Sequence, residues 1–171
     1  MGLLKGLLIN YMKESYEVIM SCVAEEDLFA LLKDLESHSL RVTEVVSSEA
    51  IGGKGGLGFN ERLIDEFRGF SGDLCIAARL YGFDLISVED EFFLLVRVVK
   101  YNGNVDVELF FDDVCISNID EVMFLLQRYI QKVCGDVRMA EFYGGIEPAH
   151  DLSTRFFTNG VLGPLALSKR P

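Results

Sequence analysis

Carboxylates are the residues of this 171-residue chain whose type and spacing could do chemistry. Between Leu80 and Gln127 stand ten acids (Asp84, Glu89, Asp90, Glu91, Asp106, Glu108, Asp112, Asp113, Asp120, Glu121) against two bases, Arg97 and Lys100, so this stretch carries −8 of the formal −11. Such a cluster could ligate Ca²⁺ or Mg²⁺, lie solvated without a role, or steer and orient a basic protein. No EF-hand spacing is present, and a concentration of one sign this large favours the protein-facing patch. We therefore expect no metal and no cofactor. The expected partner-binding set is Glu89, Asp90, Glu91, Asp106, Glu108, Asp112, Asp113, Asp120 and Glu121.

Two other constellations compete with the acids. Gly53-Lys-Gly-Gly-Leu-Gly58 has the G-x-G-x-x-G spacing that lets a backbone approach a pyrophosphate, so the Gly52 to Gly58 loop supports a nucleotide or small-molecule alternative. Its context is poor: Ser48 to Gly52 separate it from the preceding strand, its third glycine precedes the apparent cap Asn60, and Lys54 is followed by glycine where a Walker A loop needs Ser or Thr. His150 beside Asp151 is the basis of a second alternative, an enzyme whose imidazole is oriented by a carboxylate. A surface turn explains Glu147-Pro-Ala-His-Asp151 better, and His38 sits after a helix end, where the dipole favours a cation.

Periodicity shows what must position these groups. Phe92 to Phe111 reads as a hairpin centred on Asn102-Gly103, a pair that tolerates the positive φ angles of a two-residue type I′ turn. That turn sets Tyr101 opposite Asn104, Lys100 opposite Val105, Val99 opposite Asp106, Val98 opposite Val107, Arg97 opposite Glu108 and Val96 opposite Leu109. One face is then apolar and the other carries Arg97, Asp106 and Glu108. Continuing the register brings Asp112 and Asp113 to the open end, where Glu89, Asp90 and Glu91 enter.

Before the hairpin, the pattern predicts a strand at Tyr16 to Val23 and a helix from Glu25 to Ser37 with Leu28, Leu31, Leu32 and Leu35 on one stripe. Leu40 to Ser47 returns to strand character, and the resulting β-α-β opening permits a parallel pair. A short helix from Glu61 to Arg68, capped by Asn60, precedes a strand at Leu74 to Leu80; Phe83 to Asp90 stays open between strand and loop. After the hairpin, Ser117 as cap with Asp120 and Glu121 in the first turn starts an amphipathic helix to Cys134, expected against the hairpin's apolar face. Val137 to Tyr143 is the last strand expected, and Phe156 and Phe157 anchor the remaining tail. The fold class is α+β, one domain over 1–171, in the order β-α-β-(short α)-β-β-β-α-β. Its sheet is mixed or mainly antiparallel around the Asn-Gly hairpin, with an N-terminal arm over 1–13 and an extended C-terminal tail over 144–171.

With half its residues hydrophobic, the chain is able to bury about two-thirds of its unfolded surface. Cys22, Cys75, Cys115 and Cys134 sit singly in apolar runs, so buried thiols in a reducing cytosol are expected, without disulfides or zinc. MGLLKGLLINYMK lacks a signal-peptide apolar core, Gly6 stands where a myristoylation signal needs Ser or Thr, and no run approaches the ~18 apolar residues of a span. The expected location is cytoplasmic. A pI near 4.6 argues against direct binding of DNA or RNA, whose phosphates demand Lys and Arg.

In size, charge and fold class, an acidic α+β domain of this kind, carrying the set Asp106, Glu108, Asp112, Asp113, Asp120 and Glu121, resembles the immunity proteins that bacteria make against their own toxins. Those of contact-dependent growth inhibition systems are among them. The resemblance implies a non-catalytic protein that binds a toxin domain, often a basic nuclease, and covers or distorts its active site. Here the acids would mimic phosphate charge against a basic cleft.

Overall fold

Asn102 and Gly103 both take positive φ, 49° and 78°, so the turn expected at that pair forms. The computed structural model describes residues 13–53, 56–87, 92–114 and 116–167. Outside the described residues lie 1–12 of the expected N-terminal arm, Lys54, Gly55, Glu89, Asp90, Glu91, Cys115 and the end of the tail.

In chain order the elements are β1 (Ser15–Ser21), α1 (Glu25–Ser37), β2 (Arg41–Val42), β3 (Val46–Ser47), α2 (Glu61–Gly69), β4 (Leu74–Tyr81), β5 (Phe93–Tyr101), β6 (Asn104–Asp112) and α3 (Ile119–Val133). Next come β7 (Glu141–Ile146), a 3-10 turn (Leu152–Thr154), β8 (Arg155–Thr158), β9 (Val161–Leu162) and α4 (Pro164–Leu167). The strands form one sheet in the order β2-β4-β5-β6-β1-β7-β8-β9, with β3 also on β4. The β5–β6 register is the expected one from Tyr101↔Asn104 to Val96↔Leu109.

Alternation along these strands builds the core on one face. Leu94, Val96, Val98, Val105, Val107 and Leu109 are each at most 1% exposed. They share one apolar cluster with Leu28, Leu31, Leu32 and Leu35 of α1, Leu63, Ile64 and Phe67 of α2, and Met123, Leu126 and Ile130 of α3. Each such side chain contributes about 1.5–3 kcal/mol by leaving water. Lys100 also points to this face and is only 8% exposed. Its Nζ donates to the Arg68 carbonyl at 2.8 Å and pairs with Glu25 Oε1 at 3.0 Å, so one buried cation satisfies the end of α2 and ties it to α1.

Several expectations are corrected. Among the described residues no parallel pair forms: every pairing is antiparallel, and β1 lies between β6 and β7, away from β2. The strand expected at Leu40 to Ser47 is broken in two, because Val42 faces Leu80 while Val46 faces Ala77, and four steps on one side cannot match three on the other. Asn118, not Ser117, caps α3, its Oδ1 accepting from Glu121 N at 3.2 Å. Over the sheet, α3 lies against β7 and β8 more than against the hairpin.

The last expected strand starts later, at Glu141, because Arg138 is held off the sheet by Asp27 of α1, which accepts from its backbone N at 2.9 Å and its Nε at 2.8 Å. The tail is not simply extended; it adds two strands and a short helix. Cys22 and Cys134 are exposed and Cys75 is half-buried, against the expectation of buried thiols, since Cys22 lies in the bend after β1 and Cys134 caps α3.

Docking of β8 on β7 requires a bare backbone. A Cβ on Gly145 would stand 2.1 Å from the Thr154 carbonyl oxygen and 2.9 Å from Arg155 Cα, where no flexible side chain is available to yield. Gly145→Ala is therefore expected to destabilise the protein by about 3 kcal/mol in urea unfolding. Gly69→Ala, whose added methyl meets nothing within 4 Å, should stay within about 1 kcal/mol of the parent.

Candidate partner-binding surface

The acids named from sequence divide into those the fold consumes and those it presents. Asp106 is consumed: it is 8% exposed, its Oδ1 accepts from Cys22 N at 2.8 Å and its Oδ2 from the Tyr101 hydroxyl at 2.9 Å. Glu108 pairs with Arg97 across the hairpin at 2.5 Å, with 13% of its side chain exposed. Both stand on the sheet face opposite the helices, as the alternation required.

Asp112, Asp113, Asp120 and Glu121 gather around the other end of β6. Asp112 pairs with Lys13 at 2.6 Å, and Asp113 Oδ1 accepts from Glu14 N at 3.3 Å. Asp120 and Glu121 are exposed in the first turn of α3, where the dipole favours negative charge. Sequence reasoning missed Glu14, which lies 99 residues from Asp113 and reaches it through the β1–β6 pairing. The convergence registers on Tyr16, whose hydroxyl donates to Glu14 Oε2 at 2.7 Å. Burial first, then that bond and the charges of Glu14, Asp113 and Asp120, hold its phenol well above the usual range. Glu89, Asp90 and Glu91, expected to complete this end, lie outside the described residues.

The rival constellations look different once folded. The Gly52 and Phe59 N–H groups, at the two ends of the glycine loop, donate to the carboxylates of Glu66 and Glu36. The Gly52 bond, ahead of Arg62, lowers the Glu66 pKa. These two flanking donors thus already serve the chain's own acids. Asn60 does cap α2, its Oδ1 accepting from Leu63 N at 3.0 Å. Asp151 turns to the 3-10 turn, accepting from Ser153 N at 3.2 Å. Among the described residues no hydrogen bond joins it to His150. His38 ends α1, with its Nδ1 2.9 Å from Asp84 Oδ1.

Across β4 and β5 the sheet face away from the helices stays half-open: Ala77, Tyr81, Phe93, Leu95 and Val99 are part-buried while their strand neighbours are buried. Four guanidiniums lie over rings on this face: Arg41 over Tyr81, Arg79 over Phe93, Arg97 over Phe110 and Arg155 over Tyr143. The period-2 pattern of Cys75, Ala77, Arg79 and Tyr81 was the available signal for this row. Toward β1 the face closes, because Ala149 N donates to Glu17 Oε1 at 2.6 Å and leaves Glu17 5% exposed. Burial raises the Glu17 pKa, partly offset by the Ala149 bond.

Asp106 also leaves a measurable trace on Tyr101. Its bond to the phenol, then desolvation and its charge, push Tyr101 up to about 12 from an ordinary 10.0. A folded value above the unfolded one means that the pair's contribution is whole below pH 10.0 and fades as pH rises toward 12. Asp106→Asn should return one tyrosine ionisation toward 10.0 in an ultraviolet titration; an unchanged curve would contradict the pairing.

Residues 14–161 match a family described as PABL017 Cdi1I immunity protein. A solved structure, the toxic C-terminal tip of CdiA from Pseudomonas aeruginosa in complex with immune protein, contains a similar chain. The two are 42% identical with a TM-score of 0.83, over 90% of this chain and 99% of that one. No curated protein matches. A match spanning all nine strands but the last residue of β9, joined to that likeness in three dimensions, shows that the chain belongs to the PABL017 Cdi1I immunity protein family.

Proposed function

We propose that the chain neutralises a CdiA-type toxin tip by binding it without catalysis, in the cytoplasm, with its acidic edge turned to a basic surface of the toxin. The observation that carries the toxin as partner is the 42% identity to a chain solved in complex with such a tip. The acidic edge is supported by the convergence of Glu14, Asp113 and Asp120 on Tyr16 and by the formal −11 charge. Asp112, Asp113, Asp120 and Glu121 form the presented part, and Glu89, Asp90 and Glu91, which lie outside the described residues, are proposed to join them. Asp106 and Glu108 act away from them, Asp106 tying the bend after β1 to Tyr101 at the hairpin turn and Glu108 pairing with Arg97 across the strands. Charge placed this way accelerates encounter and sets orientation, and packing near the edge then retains the partner.

The test is stopped-flow association with the toxin tip encoded next to this chain. Asp113→Lys, Asp120→Lys and Glu121→Lys together should cut the association rate ~10-fold or more at low salt and have little effect near ~0.5 M NaCl. An unchanged low-salt rate rejects the acidic edge. Failure of the unsubstituted protein to bind that tip rejects the toxin-neutralising reading.

A further inference from the structure

Arg41 and Arg79 are at odds with the rest of the surface. Both are exposed, and among the described residues neither guanidinium makes an ion pair or a hydrogen bond, although the chain holds 27 acids against 16 bases. Each lies over a ring instead, Arg41 Cζ 3.9 Å from the Tyr81 centroid and Arg79 Cζ 5.0 Å from that of Phe93. Tyr81 and Phe93 face each other across β4 and β5 with centroids 5.4 Å apart. The rings hold the two cations in place while both residues stay exposed, an arrangement suited to bidentate capture of a carboxylate.

The row continues into a concavity. Arg79 is in register with Leu95, and Leu95 with Phe110. A groove of about 450 Å³ opens there, with Phe93, Leu95, Arg97 and Phe110 in its wall, the exposed Val114 beside them, and the Lys13–Asp112 pair and Glu147 lining its far side. Aromatic and arginine side chains beside an apolar groove are the residue types that concentrate binding energy at protein interfaces.

We infer that this patch is a second docking site for the same toxin domain, taking a carboxylate-bearing segment whose Asp or Glu side chains sit on Arg41 and Arg79 while an apolar neighbour fills the groove. The inference rests on the toxin-neutralising reading. Charge complementarity selects the occupant: two guanidiniums without a carboxylate among the described residues call for one, and the formal −11 of the whole chain repels a polyphosphate. The groove meets the acidic edge at Asp112, so one toxin domain spans both, the edge governing encounter and the arginine patch governing residence.

The experiment compares the unsubstituted protein with the double variant Arg41→Gln, Arg79→Gln against the toxin tip encoded next to this chain, by surface plasmon resonance. Both positions are exposed, and a thermal scan confirms folding. The dissociation rate should rise ~10-fold or more with no fall in the association rate, since removing positive charge does not slow approach to a basic partner. An unchanged dissociation rate overturns the patch while leaving the toxin reading intact. No binding by the unsubstituted protein overturns the toxin reading itself. Sedimentation of the protein alone supplies a further arm: a dimer dispersed by the double variant would make a second copy the occupant, and overturn the inference.

Discussion

The sheet depends on β1 being hydrogen-bonded along both edges. It bridges the hairpin on one side and the β7–β9 extension on the other, so two sets of strands become one sheet only when residues near the start of the described chain meet partners near positions 108 and 143. The same insertion brings Glu14 against Asp113 and Tyr16 beneath them. Fold closure and the gathering of acid at one end are thus a single event. Contacts this distant in sequence carry a large loop-closure cost, offset here by the fully buried Val18 and Met20.

A chain with this excess of acid must manage its own repulsion. Several carboxylates are used inside the structure: Asp27 anchors Arg138, Glu36 and Glu66 hold the glycine loop, and Asp106 pins the bend after β1 to the hairpin turn. What remains outward is spread over the surface, from Glu26, Glu44 and Glu61 to Asp84, Asp120, Asp136 and Asp151, with the ring-stacked Arg41 and Arg79 on β2 and β4. Against that negative background the two ring-stacked arginines are a local positive feature.

How much of this was legible depends on how local each cause was. The hairpin register came from Asn102-Gly103 and a two-residue period, both properties of adjacent residues. The α1 and α2 stripes were equally local. The fate of Asp106 was not, because its partners Cys22 and Tyr101 come together only through the sheet. The same holds for Val137 to Ala140, where strand propensity yields to Asp27 of a distant helix, and for the tail, whose two- to four-residue strands fall below any periodic signal. Among the candidate acids, the type and the end of the hairpin were readable. Which of them face solvent was decided by long-range pairing.

The edges of the sheet are formed by very short strands: β2 and β3 at one side and β9 at the other, each two residues long. An approaching chain finds almost no free backbone ladder on which to extend the sheet. Recognition is left to side chains. In evolutionary terms the scaffold and the specificity are then separable: a lineage can exchange exposed residues to track a changing adversary one substitution at a time, without renegotiating the hydrogen bonds that hold the protein together.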